Sequence, residues 1–195
     1  MSSFIGHASV GAAVYFSQAK LSSAHAKWAL PLLVFLSIAP DLDYPFSWWL
    51  GMDFHPRITH SLLFCIIISL LAWLATTRTL AAGVSHPGLL AFCVASCSHI
   101  GLDLLVGVHS VPVFWPFSSS EPAIAFGVLP SAGHLNLWNY YLWRNLLIEC
   151  GVLLPFLWFF VAIFRGTSVR SLASNLALIC PIWLGFLVWS IRIHN

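Results

Sequence analysis

Four stretches of the chain, Ser61 to Thr77, Leu89 to Val106, Leu146 to Phe164 and Leu172 to Ile191, are apolar almost throughout. They lack the two-residue alternation of barrel strands. A run of about 20 apolar residues crosses a bilayer as a helix, because lipid offers no partner to an unpaired backbone group. These four therefore read as spans. Two weaker runs precede them. Phe4 to Ala19 is rich in small residues (Gly6, Ala8, Gly11, Ala12) that suit close helix packing, and Trp28 to Ala39 is short and stops at Pro40. Each suits a short span or a half-inserted helix. Between spans four and five, residues 107–145 carry prolines, glycines and many aromatics, which predicts an irregular cap or re-entrant segment. No internal repeat or low-complexity tract is present. The expected fold is a single all-α, multi-pass membrane bundle with four clear spans and two short or half-inserted helices.

Composition sharpens this reading. Of 195 residues, 59% are hydrophobic and 7% are charged, against about 25% charged in an ordinary soluble domain. The eight Lys and Arg and six Asp and Glu form no charged run, so nucleic acid is not an expected partner. The five cysteines (Cys65, Cys93, Cys97, Cys150, Cys180) lie inside apolar runs and read as small hydrophobes, not as a disulfide framework. The opening Met-Ser-Ser-Phe-Ile-Gly-His lacks the basic region of a cleavable signal, so the chain is read as mature from its first residue.

If all six runs cross, Lys20, Lys27, Arg78, Arg165 and Arg170 fall on one side and Arg57, Arg144 and Arg192 on the other. The positive-inside rule makes the first group cytoplasmic and puts both termini outside. Trp48, Trp49, Trp115, Trp138, Tyr140, Tyr141 and Trp143 then share the outer side, as an interfacial aromatic belt or as a platform that admits lipid.

Ionisable groups inside spans cost about 2.5 to 3.5 kcal/mol each on insertion scales, so the few that occur need a reason. His99 and Asp103 are four residues apart, as are Asn145 and Glu149, and each pair projects from one helix face. Following depth along the proposed topology, His7, Asp41, Asp43, His60, His99, Asp103 and Glu149 all approach the same end of the bundle. That convergence holds whichever way the protein is oriented. Imidazole and carboxylate without thiolate suit Zn²⁺, Mn²⁺ or Fe, and a set this large exceeds the ligands of one catalytic zinc. Two ions about 3.5 to 4 Å apart would activate water and clamp a phosphoryl or related ester.

Plainer roles stand beside these. His7 can be a packing residue, and Asp41 and Asp43 can cap a turn after Pro40. Thr59 or Ser61 can cap the following helix and leave His60 facing the bundle. Arg57 can clamp a phosphate or merely touch a headgroup, and Arg144 shares that ambiguity. His25, His86, His134 and His194 lack a carboxylate at ligand spacing and read as solvent or interface residues.

The segments Ala39-Pro40-Asp41-Leu42-Asp43, His55-Pro56-Arg57-Ile58-Thr59-His60-Ser61, Ser98-His99-Ile100-Gly101-Leu102-Asp103 and Phe114-Trp115-Pro116-Phe117, with His7 before them, resemble the YdjM-like family. Its members are small bacterial inner-membrane proteins described as metal-dependent hydrolases. None of these motifs is specific alone; their order and spacing carry the resemblance. That family is in turn distantly similar to the zinc-dependent phospholipase C and S1/P1 nuclease group. The remoter similarity implies metal ligands at His7, His60, His99, Asp103, His109 and Glu149, with Asp41 or Asp43 as a bridging aspartate. Asn145 stands where that group has a histidine, and the metal-binding N-terminal amine has no evident counterpart, which favours two ions over three.

The expectation is a bacterial inner-membrane hydrolase whose metal-activated water attacks an ester, a phosphoester of a lipid or lipid-linked substrate, with its site on the outer face. His7, Asp41, His60, His99, Asp103, His109 and Glu149 would bind metal, Asp43 would orient or deprotonate the water, and Arg57 would stabilise substrate charge. The competing readings are a proton or metal-ion transporter built on the same intramembrane groups, and a non-catalytic adaptor stapled by its metal.

Overall fold

The computed structural model describes residues 3–18, 28–51, 56–79, 86–107, 110–123, 127–131 and 136–194. Seven α-helices occur among them: α1 (Phe4–Ser17), α2 (Ala29–Ile38), α3 (Asp43–Leu50), α4 (Leu62–Thr79), α5 (Leu89–Val106), α6 (Tyr140–Phe164) and α7 (Val169–His194). No strand is present in the described residues. Each of the six apolar runs is a helix, and α6 and α7 begin earlier than their apolar runs do. By length and composition α5, α6 and residues Val169–Ile193 of α7 can cross a membrane. The stretches Phe4–Ser17, Ala29–Leu42 and Leu62–Arg78 are shorter apolar helices, so among the described residues three spans rather than four meet that standard.

Helix α1 packs against α2, α5 and α6, while α4 lies on α5 and α7 lies outermost on α6. Val10, Val14, Leu33, Phe92, Ala95, Ile148 and Val152 fill the space between them. Lipid tails are as apolar as these side chains, so tight packing rather than escape from water must hold the helices together. Gly11 makes this possible at the α1–α2 crossing, since a Cβ there would lie 2.6 Å from the Leu33 carbonyl oxygen and 2.7 Å from the Val34 Cα.

Helix α5 ends at Gly107, whose φ of 68° is the left-handed conformation that glycine adopts without strain. The described parts of the segment after it contain no regular helix before α6. They cover the end of the bundle that α5 reaches. Val128 and Leu129 donate backbone hydrogen bonds to the Leu105 carbonyl, and Leu62 donates to Val113. The Ser190 hydroxyl ties α7 to the Val128 carbonyl. Trp49, Tyr140, Tyr141 and Trp143 are exposed, and Trp138 is 97% exposed.

Candidate metal centre

Five imidazole and carboxylate side chains meet beneath this cap, each delivered by a local feature of the sequence. His7 lies in the first turn of α1, which starts where the Ser3 hydroxyl accepts the Gly6 N–H. Asp41 lies in the 3-10 turn Ala39–Leu42 that follows α2 at Pro40. His60 ends the 3-10 turn Ile58–His60, directly before Ser61, whose hydroxyl accepts the Phe64 N–H and caps α4. His99 and Asp103 project from α5 one turn apart. All five are buried, with exposures between 0% and 6%.

The two carboxylates present one oxygen to each side. Asp41 Oδ1 lies 3.4 Å from both His60 Nε2 and His99 Nε2, and Asp103 Oδ2 lies 3.6 Å and 3.4 Å from the same two nitrogens. On the other side, His7 Nε2 is 3.5 Å from Asp103 Oδ1 and 3.9 Å from Asp41 Oδ2. The His7 and His99 rings stack with centroids 3.8 Å apart and planes 13° from parallel.

His99 Nδ1 lies 2.9 Å from the Ser37 carbonyl oxygen, which can only accept, so Nδ1 carries the proton. That carbonyl is available because Pro40 lacks the N–H that would reach it in a 3-10 turn. In the neutral ring Nε2 then aims a lone pair at two carboxylate oxygens. Asp41 Oδ1 and Oδ2, His60 Nε2 and His99 Nε2 are buried and make no hydrogen bond among the described residues. Facing lone pairs without a proton between them is what a divalent cation resolves. Ligand atoms about 2.0 to 2.2 Å from a tetrahedral ion stand about 3.3 to 3.6 Å from one another, and the four contacts of His60 Nε2 and His99 Nε2 with the carboxylates span 3.4 to 3.6 Å. One ligand atom each from Asp41, His60, His99 and Asp103 falls within 4.8 Å of the others. These four residues could hold a metal ion, and their chemistry fits a borderline cation such as Zn²⁺, Mn²⁺ or Fe.

The other residues of interest lie around this set. Asp43 stands behind His60, its Oδ2 3.8 Å from His60 Nδ1, on the ring's far side from the carboxylates. Arg57 reaches Asp43 at 4.0 Å, stacks 3.8 Å above the Tyr44 ring and remains 30% exposed. Glu149 is buried outside the four-residue set, and its Oε1 accepts the Ser3 N–H at 2.9 Å. The Asn145 amide donates to the Ser131 carbonyl and accepts from Arg144. His109 lies outside the described residues, as does His55. Sequence reasoning passed over the Ser37 carbonyl and Tyr44. The first has no side-chain signal, and the second is visible only once α3 folds back beside His60.

Fold and centre together define an all-helical membrane protein with a buried imidazole and carboxylate site at one end of its bundle. The chain belongs to the YdjM inner membrane protein family, whose model matches residues 1–192. No curated protein and no solved structure matches it.

Proposed function

We propose that the protein is a membrane-bound hydrolase that uses two divalent cations, zinc foremost, to cleave an ester, specifically a phosphoester of a lipid or lipid-linked substrate at the outer face of the inner membrane. The observation that carries this reading is the division of oxygens at Asp41 and Asp103. A single structural ion would need only the His60 and His99 side, yet His7 meets the opposite oxygens of the same two carboxylates. Carboxylates shared in this way are what would hold two cations at the ~3.5 to 4 Å separation of two-metal hydrolases. When bound, such a pair supplies a water that is nucleophilic at neutral pH and neutralises charge on the ester oxygens.

The chain's own groups supply the rest. His60 and His99 would hold a cation from one side of Asp41 and Asp103, and His7 would hold one from the other. Asp43 holds His60 from behind. Arg57, partly exposed and flattened on Tyr44, offers planar donors to an anionic group arriving from the membrane surface. The exposed Trp and Tyr side chains at the start of α6 suit a protein that meets lipid headgroups there. A transport role is less well supported, because α5 carries no Asp, Glu, Lys, Arg or His before His99 and α6 none between Glu149 and its end.

One observation favours a different reading, the metal-stapled adaptor: all five side chains are almost fully buried, and closed sites are the mark of structural zinc. Elemental analysis of detergent-purified protein, followed by turnover of phospholipids and lipid phosphates, separates the two. The hydrolase should carry two ions per chain, one in His7→Ala and fewer in Asp103→Asn, with turnover lost in Asp103→Asn. Bound metal whose removal unfolds the protein, with no ester hydrolysed, would establish the staple. Wild-type protein free of metal would sink both.

A further inference from the structure

His60 meets a side-chain hydroxyl at its Nδ1, where His99 meets the backbone carbonyl of Ser37. Its Nδ1 lies 3.1 Å from the Thr59 hydroxyl oxygen, and that hydroxyl lies 3.2 Å from Asp43 Oδ2, to which it donates. A hydroxyl has one proton to give. Were it given to His60 instead, Oγ1 and a carboxylate oxygen would face each other at 3.2 Å with no proton between them. The Thr59 proton therefore goes to Asp43, and Thr59 accepts the proton on His60 Nδ1. The direct distance from His60 Nδ1 to Asp43 Oδ2, 3.8 Å, is too long for a hydrogen bond.

We infer that Thr59 is a positioning residue: its hydroxyl joins His60 to Asp43 and so fixes the tautomer in which His60 Nε2 is free to bind a cation. The inference rests on the metal centre proposed above and adds to it the group that sets one ligand. Thr59 and His60 are successive residues of the 3-10 turn Ile58–His60, and their side chains meet directly. Arg57, at the start of the same turn, reaches the far end of the chain at Asp43 Oδ2. The resulting order is His60, Thr59, Asp43, Arg57. A charged carboxylate thus acts on the ligand through a neutral hydroxyl, as outer partners of metal-bound imidazoles do.

The test is zinc affinity of the detergent-purified full chain, measured by competition with a chromogenic chelator, for Thr59→Val, Thr59→Ser, Asp43→Ala and the Thr59→Val/Asp43→Ala pair. Loss of an outer partner weakens metal binding about 10- to 100-fold. Thr59→Val should fall in that range, and Thr59→Ser, which keeps the hydroxyl, should stay within about threefold of wild type. Because the two residues act in series, the double variant should be no weaker than the worse single one. If Thr59→Val does not fold, as judged by helical content and a monodisperse elution peak, Thr59→Ala takes its place. Wild-type affinity in Thr59→Val, or equal losses in the Ser and Val variants, would overturn the role given to Thr59 and leave the centre standing. A wild-type chain that binds no zinc would overturn the centre itself.

Discussion

The crossing of α1 and α2 offers a perturbation whose size can be worked from distances alone. A methyl group at Gly11 would lie 2.6 Å from the Leu33 carbonyl oxygen, 2.7 Å from Ser37 Oγ and 2.7 Å from the Val34 Cα, where ordinary contact begins at 3.4 Å. Two of these three neighbours are backbone, so no side-chain rotation relieves the clash. In Gly11→Ala the helices must part by about 0.8 Å, and overpacking of this kind costs about 1 to 3 kcal/mol. For a chain of this length that lowers the melting temperature by roughly 2 to 12 °C. His7 is one turn before Gly11 on the same buried face of α1, so a retreat of α1 draws its Nε2 away from Asp41 and Asp103. Melting followed by circular dichroism, with zinc content measured on the same sample, should show a less stable protein that has lost up to half its metal. The control is Gly101→Ala. Gly101 lies between His99 and Asp103 on α5, but among the described residues nothing approaches its Cβ position within 4 Å. There the exchange should be neutral or stabilising by up to about 1 kcal/mol, the helix cost of a glycine. A Gly11→Ala protein that melts with wild type and keeps all its zinc would refute the packing argument.

Two further outcomes are expected. Glu149→Gln keeps an acceptor for the Ser3 N–H and should retain wild-type zinc, whereas Glu149→Ala orphans that N–H and should cost about 1 to 3 kcal/mol in thermal unfolding; zinc lost from the Gln variant would make Glu149 a ligand. For sidedness, a cysteine placed at Ser118 in the segment between α5 and α6 should react with an impermeant thiol reagent in intact cells, and labelling only after lysis would invert the proposed orientation.

Much of this arrangement could be read from residue order. Continuous hydrophobicity located six of the seven helices, and tracking depth along them brought His7, Asp41, His60, His99 and Asp103 to one end of the bundle. In the sequence, helix α3 reads only as a possible turn after Pro40 followed by interfacial aromatics, because eight residues are too few to establish a period. Its signals were local: an acidic residue in its first turn and Gly51 just beyond its last. Thr59 looked like one of two helix caps. Ser61 is the cap, and what Thr59 does instead depends on where α3 places Asp43, a tertiary fact with no one-dimensional trace. Glu149 illustrates the converse. Its depth was right, but nothing in the spacing of α6 could show that a backbone N–H from the other end of the chain occupies its carboxylate.

That last contact bears on how the protein is made. Ser3 and Glu149 are separated by 146 positions, so when the ribosome has released α1 to α5, the opening turn of α1 still awaits its acceptor. The groups that would grip a cation are all synthesised by then, yet the segment carrying the first of them is unanchored at its start. Only translation of α6 closes the assembly, which makes the final third of the polypeptide a latch on its beginning, although it contributes nothing to the four-residue set.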